Sequence, residues 1–191
     1  MCGICGFNWE DKKTIKEMTD TLIHRGPDQY DYYTDQFISL GHRRLSIIDL
    51  SERGKQPMCN EQGDTWVVYN GEIYNFNEIR LDLEKKGHEF RSNTDTEVIL
   101  HAYEEYGIEC QKLFNGMLAI AIWYTRNKKI ILVRDRLGVK PLFYYFDRAN
   151  SKLIFASEIK SIITNPIVKR KFNFNALNQI IHYGYFINEE T

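Results

Sequence analysis

Long apolar runs are missing from this chain of 191 residues. None approaches the roughly 20 residues that a membrane-spanning helix needs. A basic-then-apolar start is also missing, so no secretory leader is read. Charge of one sign is not in excess: 25 Lys and Arg stand against 26 Asp and Glu, a net charge of −1. Nothing therefore points to nucleic acid or an anionic membrane as a partner. Cysteine is sparse, at four residues (Cys2, Cys5, Cys59 and Cys110). A core of this size needs no disulfide staples, so a reduced, cytoplasmic setting is expected. The five histidines show no paired ligand spacing, so no metal is expected. There is no internal repeat and no low-complexity tract. What remains is 43% hydrophobic and 14% aromatic, enough to bury a core in a chain of single-domain length.

The order of elements follows from periodicity and punctuation. Residues 3–9 read as a buried strand, and Asp11 to Leu22 as a helix with Ile15, Met18 and Leu22 on one face. A turn-rich loop at His24 to Asp28 precedes short strands near 31–34, 37–41 and 43–48. The polar stretch 49–64 reads as a long surface connection. Trp66 to Tyr69 is a strand ending at Asn70-Gly71. Asn75 with Glu78, and Thr94 with Glu97, have the spacing of capping boxes that start two helices, the second stopped by Gly107. Met117 to Tyr124, Ile130 to Val133, Leu142 to Phe146 and Leu153 to Ala156 are apolar strands without clean alternation, as expected where both faces are covered. Asn165-Pro166 marks a boundary, and one further helix is read at 175–182. Strands and helices cluster separately. That favours antiparallel sheets with helices packed outside over a doubly wound sheet.

Cys2 carries the chemistry. If Met1 is removed, one residue holds both a thiol and a free α-amine. The amine, with an ordinary pKa of about 7.7–8.0, can take the proton of a thiol at about 8.5. An N-terminal nucleophile activated by its own amine is one solution to a weak nucleophile. Two other readings stand beside it: an incidental buried cysteine, or a redox or metal pair with Cys5. Asn70-Gly71 by itself signals a type I′ hairpin. Arg43-Arg44 by itself suits a solvated edge, and Asp95 suits the dipole of a helix start.

Seven segments appear in an order that resembles the N-terminal-nucleophile (class II) glutamine amidotransferases. They are Cys2-Gly3-Ile4, Arg25-Gly26-Pro27-Asp28, His42-Arg43-Arg44-Leu45-Ser46-Ile47, Asn70-Gly71-Glu72-Ile73-Tyr74-Asn75, Ser92-Asn93-Thr94-Asp95-Thr96-Glu97, Arg134-Asp135-Arg136-Leu137-Gly138-Val139-Lys140-Pro141-Leu142 and Phe155-Ala156-Ser157-Glu158. The set is most similar to the glutaminase half of glutamine-hydrolysing asparagine synthetase. The resemblance implies an α+β fold, a four-layer αββα sandwich of antiparallel sheets. It divides the chain into a glutaminase domain at 1–163 and, at 164–191, a linker with the truncated start of a synthetase domain.

The resemblance also assigns roles. Cys2 would attack the side-chain amide carbon of L-glutamine, release ammonia and leave a thioester for water to hydrolyse. Asn70 and Gly71 would form the oxyanion hole. Arg44 would hold the substrate α-carboxylate, with Arg43 the alternative anchor, and Asp95 would hold the α-ammonium with help from Glu72, which is otherwise structural. Leu45, Ile47 and Ile48 would wall the pocket. Arg25 to Asp28 would brace the nucleophile through a local ion pair. Ammonia would pass to a synthetase domain or subunit that makes asparagine from aspartate. ATP and Mg belong to that domain, so no cofactor is expected in this chain, which lacks a Ser-Gly-Gly-x-Asp-Ser loop. A silent glutamine-binding or scaffold module, a different ammonia acceptor and a homodimer stay open.

Overall fold

The side chain of Asp11 accepts the Thr14 N–H at 2.9 Å, an N-cap that starts the first helix. In the computed structural model, which describes residues 1–187, this is α1 (Lys12–Asp20), and it buries Thr14, Ile15, Met18 and Thr19. Five strands form the sheet beneath it: β1 (Gly3–Phe7), β2 (Gln29–Asp35), β3 (Ile38–Arg44), β8 (Phe143–Asp147) and β9 (Lys152–Ala156). Their order is β2-β3-β1-β9-β8. A second sheet has the order β4-β5-β6-β7, from β4 (Met58–Cys59), β5 (Thr65–Ile73), β6 (Gly116–Tyr124) and β7 (Lys129–Arg134). Every pairing is antiparallel. The helices α2 (Phe76–Lys85) and α3 (Asp95–Tyr106) follow the second sheet's first long strand, and α4 (Ile159–Thr164) and α5 (Phe174–Tyr183) follow β9.

Three buried clusters set the layers. Ile15, Met18 and Leu22 meet Cys5, Phe7, Ile154 and Ile162 between α1, α4 and the first sheet. Ile4, Leu40 and Phe155 meet Val68, Ala119, Ala121 and Trp123 between the two sheets. Val67, Tyr69, Leu118 and Ile120 meet Leu83, Val98, Ile99 and Ala102 between the second sheet, α2 and α3. The order is helix, sheet, sheet, helix, the expected four-layer αββα sandwich. Both faces of β5 and β6 are covered, which is why their apolar runs do not alternate. Each fully buried aliphatic side chain contributes about 1.5–3 kcal/mol. Among the described residues, no helix is long and apolar enough to cross a membrane.

Several local readings change. The strands expected at 37–41 and 43–48 are one strand, Ile38–Arg44, and 45–48 leave the sheet. Gly41 is not a break: a Cβ there would sit 3.0 Å from Cys5 Sγ and overlap Thr19 Oγ1, so its glycine admits α1 close to the sheet. The stretch 49–64 is not simply a surface connection, since Gly54, Gln56 and Asn60 are buried and Met58-Cys59 pair with Val67 and Trp66. Its polarity serves internal hydrogen bonds. Gln56 accepts the Tyr69 N–H at 2.6 Å and donates to Thr96 at 3.1 Å. Thr94 caps α3 through the Glu97 N–H, while Asn75 instead bonds Leu113 and Asn115. α4, absent from the sequence reading, is six residues without a capping side chain. α5 matches the helix expected at 175–182 and buries only Ala176. Residues 188–191, the end of the expected 164–191 segment, lie outside the described residues.

Candidate active site

The strand ends and one helix start meet at a single cavity. Cys2 leads into β1, Arg44 ends β3, Asn70, Gly71 and Glu72 lie in β5, and Asp95 opens α3. Together with Leu45, Ile47 and Ile48 they line a cavity of about 240 Å³. That is smaller than the roughly 300–1,000 Å³ of a site for a drug-sized ligand and suits one small polar molecule. All nine residues singled out in the sequence converge there. A larger cavity, about 640 Å³, lies by the second half of α3 and holds none of them.

The Cys2 thiol faces the backbone of Leu45. It donates to the Leu45 carbonyl at 3.7 Å and receives the Leu45 N–H at 3.4 Å. Burial raises its pKa above the ordinary thiol value, against the lowering effects of the Leu45 N–H, the chain's terminal ammonium and Arg44. The resting sulfur is therefore a thiol that needs a base. Cys5 differs: it is fully buried against Thr19 of α1 at 3.4 Å, and burial pushes its thiol up to about 12. All four cysteines are free, and Cys5 is walled off as a core residue rather than paired with Cys2.

The Arg25 to Asp28 segment braces Cys2, though not by the local ion pair expected. Arg25 Nε donates to the Cys2 carbonyl at 2.9 Å, and Nη1 pairs with Glu158 at 3.0 Å. Asp28 instead accepts the Ser46 N–H at 2.8 Å. Sequence spacing pointed to a neighbour, but the first sheet places Glu158, just beyond β9, beside β1.

Asn70-Gly71 is not a hairpin turn. Both lie inside β5, opposite Ala119 and Leu118. Asn70 shares the inter-sheet face of Val68, is 1% exposed, and its Nδ2 has no hydrogen-bond partner among the described residues. A buried, unpaired amide donor costs about 1–3 kcal/mol, so a pocket that holds one is short of an acceptor. Gly71 is glycine for close approach: a Cβ would lie 2.6 Å from Tyr69 Cε2 and 2.9 Å from Leu118 Cα. Backbone cannot yield as a flexible side chain does, so Gly71→Ala is expected to cost about 1–3 kcal/mol. The urea midpoint measures it, and an unchanged midpoint contradicts the packing argument.

Two carboxylates share the pocket. Asp95 Oδ2 accepts the Tyr69 hydroxyl at 2.8 Å and the Ile73 N–H at 3.0 Å. Burial nevertheless raises its pKa. Burial, then the charge of Asp95, raises Glu72, while Lys140 opposes. Both groups gain if a cation arrives between them.

Arg44 is neither a solvated edge nor a free fork. Its Nη1 donates to Gln29 Oε1 at 2.8 Å and to the Ser51 carbonyl at 2.9 Å, and Nη2 to the carbonyls of Ile48 (3.2 Å) and Asp49. The guanidinium thus ties down the 48–51 loop at the pocket wall. Arg43 is removed as an alternative anchor, because it bonds Thr19 and Asp20 on the α1 side. Lys140 was missed as a site residue. It is buried, lines the cavity, and has no hydrogen-bond acceptor for its ammonium among the described residues. Asp135 fixes it there by accepting the Val139 and Lys140 N–H groups. In sequence it is a lone lysine within one of the seven ordered segments, with no local signal of its own.

The glutamine amidotransferase domain family matches residues 1–191. Asparagine synthetase [glutamine-hydrolyzing] 3 of Bacillus subtilis is 41% identical over 96% of this chain, and asparagine synthetase [glutamine-hydrolyzing] 2 of the same organism 43% identical over 94%. The chain spans only 31% and 25% of those proteins. In three dimensions, glutamine phosphoribosylpyrophosphate amidotransferase of B. subtilis superposes with a TM-score of 0.69 at 18% identity, over 85% of this chain and 43% of that one. That likeness is one of fold.

Proposed function

The chain belongs to the glutamine amidotransferases, and from that premise we propose that it hydrolyses L-glutamine to glutamate and ammonia through a thioester on Cys2. One observation carries the reading: Asn70, whose buried Nδ2 has no hydrogen-bond partner among the described residues, lines the same cavity as Cys2. A tetrahedral intermediate of amide hydrolysis supplies the negative oxygen that such a donor lacks.

Met1 is excised in the active form. The freed Cys2 amine accepts the thiol proton, which the buried sulfur does not release unaided. Sγ then attacks the substrate's side-chain amide carbon. Asn70 Nδ2 and the Gly71 N–H hold the oxyanion, the amine returns the proton to the leaving nitrogen, and ammonia departs. Water attacks the thioester and restores the thiol. The substrate α-ammonium lies between Asp95 and Glu72. Its carboxylate meets Arg44, taking Nε or displacing a loop carbonyl, and Leu45, Ile47 and Ile48 close the wall. Residues 1–163 form this glutaminase unit and 164–191 lead toward a synthetase domain. There the ammonia would amidate aspartate, at the expense of ATP and with Mg, in the cytoplasm.

The test is ammonia release from glutamine by the purified chain, with intact mass and mapping of a glutamine-analogue alkylator. The expected label is on Cys2 of a chain lacking Met1. A chain that keeps Met1 and releases no ammonia favours a silent glutamine-binding module, since Met1 itself lines the cavity. Arg44→Ala is expected to raise KM for glutamine at least about tenfold with a smaller change in kcat, because it removes binding of a charge remote from the reacting carbon. An unchanged KM removes Arg44 from the substrate site and leaves it as the loop's tether.

A further inference from the structure

The five histidines looked scattered in sequence, yet the fold brings two of them together. His88 lies between α2 and α3, and His101 and Glu104 share one face of α3 at i, i+3 spacing. We propose that His88, His101 and Glu104 form a binding site for a divalent transition metal of the zinc class, with a fourth coordination position open to the 640 Å³ cavity.

The geometry suits the ion. One donor atom from each residue lies within 4.8 Å of the others. Glu104 Oε2 is 2.9 Å from His101 Nδ1 and 3.6 Å from His88 Nδ1. Ligands held at about 2.0–2.2 Å in a tetrahedron stand about 3.4 Å apart, so small side-chain shifts complete the set. Two imidazoles and one carboxylate favour zinc over magnesium or calcium, which prefer all-oxygen sites.

The second observation is what backs the rings. Metal-bound histidines usually turn their other nitrogen toward a carboxylate, which fixes the tautomer. Here His88 Nε2 meets Glu105 Oε2 at 3.4 Å, while Glu97 Oε1 lies 3.9 Å from His101 Nε2, just beyond hydrogen-bond reach, so a small side-chain shift would complete that backing. His101 is 2% exposed and its Nε2 has no hydrogen-bond partner among the described residues. Both Nδ1 atoms point to Glu104, and both Nε2 atoms point to carboxylates behind. Asn60, Glu61 and Asp64 line the adjoining cavity and offer polar contacts to a water or ligand on the open position. A metal here would clamp the segment before α3 to α3 itself, the helix that begins at Asp95.

The experiment uses the full, untagged chain. Zinc calorimetry is expected to show one equivalent bound, with no heat from magnesium. Cobalt as a probe is expected to give visible ligand-field bands without the near-ultraviolet band of a thiolate, which separates this site from Cys2. His88→Gln and Glu104→Gln should each weaken zinc binding at least about tenfold. Zinc at about a hundredfold over Kd should raise Tm by about 5 °C or more in the unsubstituted chain and little in the variants. The Tm of each variant without metal shows that it has folded. Absence of zinc binding, a thiolate band with cobalt, or unchanged affinity in folded His88→Gln and Glu104→Gln overturns the site and leaves an ion-paired cluster.

Discussion

Cys2→Ala is expected to abolish ammonia release from glutamine, while Cys5→Ala keeps most of it. The two thiols lie three residues apart yet have opposite surroundings. Cys2 lines the cavity, with the Leu45 N–H at its sulfur. Cys5 is sealed against Thr19 with its thiol pushed up to about 12, so it is protonated at any working pH. Removing a covalent nucleophile costs a rate factor of about 10⁴ or more, because no other group in the pocket can form the thioester. Alanine at Cys5 leaves a small void under α1 and costs about 1 kcal/mol of stability. Ammonia assays on both variants, with circular dichroism to show folding, decide the matter. A folded Cys5→Ala protein as inactive as Cys2→Ala would replace the single nucleophile by paired-thiol chemistry.

The fold was legible where local chemistry and packing agree. The helix start near Asp11, the cap at Thr94 and the stop at Gly107, whose φ is 58°, all depend on neighbouring residues and were readable in sequence, although the capping role of the Asp11 side chain was not. The glycines misled where their role is contact between distant segments. Gly41 and Gly71 resemble breaks in sequence, yet each lies inside a strand because another element presses against it. The same reason explains Arg25, whose partner Glu158 is 133 residues away. It also explains the 49–64 stretch, where buried glutamine and asparagine look like loop polarity until their acceptors are in place. Within the site, the nine residues were reached through motif order. Lys140 and Tyr69 were not, because a lysine in a basic loop and a tyrosine in an apolar strand each have an ordinary local reading. Arg44 shows the limit of reasoning from residue type: a guanidinium fork suits a carboxylate, but only the folded loop shows four carbonyl-type acceptors already around it.

Asn70→Ala separates catalysis from folding most sharply. In most proteins a buried asparagine is held by its hydrogen bonds, and its removal is felt in stability. Here Nδ2 has no partner among the described residues to lose. Truncation removes an unsatisfied donor, which offsets part of the lost packing, so the urea midpoint should move by the equivalent of about 1 kcal/mol or less. The rate should respond far more. A preorganised donor acts mainly on the charge that develops in the transition state, and its loss lowers kcat by about 10²–10³, or about 2.7–4 kcal/mol. KM for glutamine should change little, because the ground-state amide oxygen carries only partial charge. Asn70→Asp strengthens the contrast by placing a carboxylate where the oxyanion forms, and it should be at least as inactive. If Asn70→Ala instead keeps kcat within a few-fold and loses stability, the amide is a structural peg between the sheets, and the oxyanion must be held by other donors.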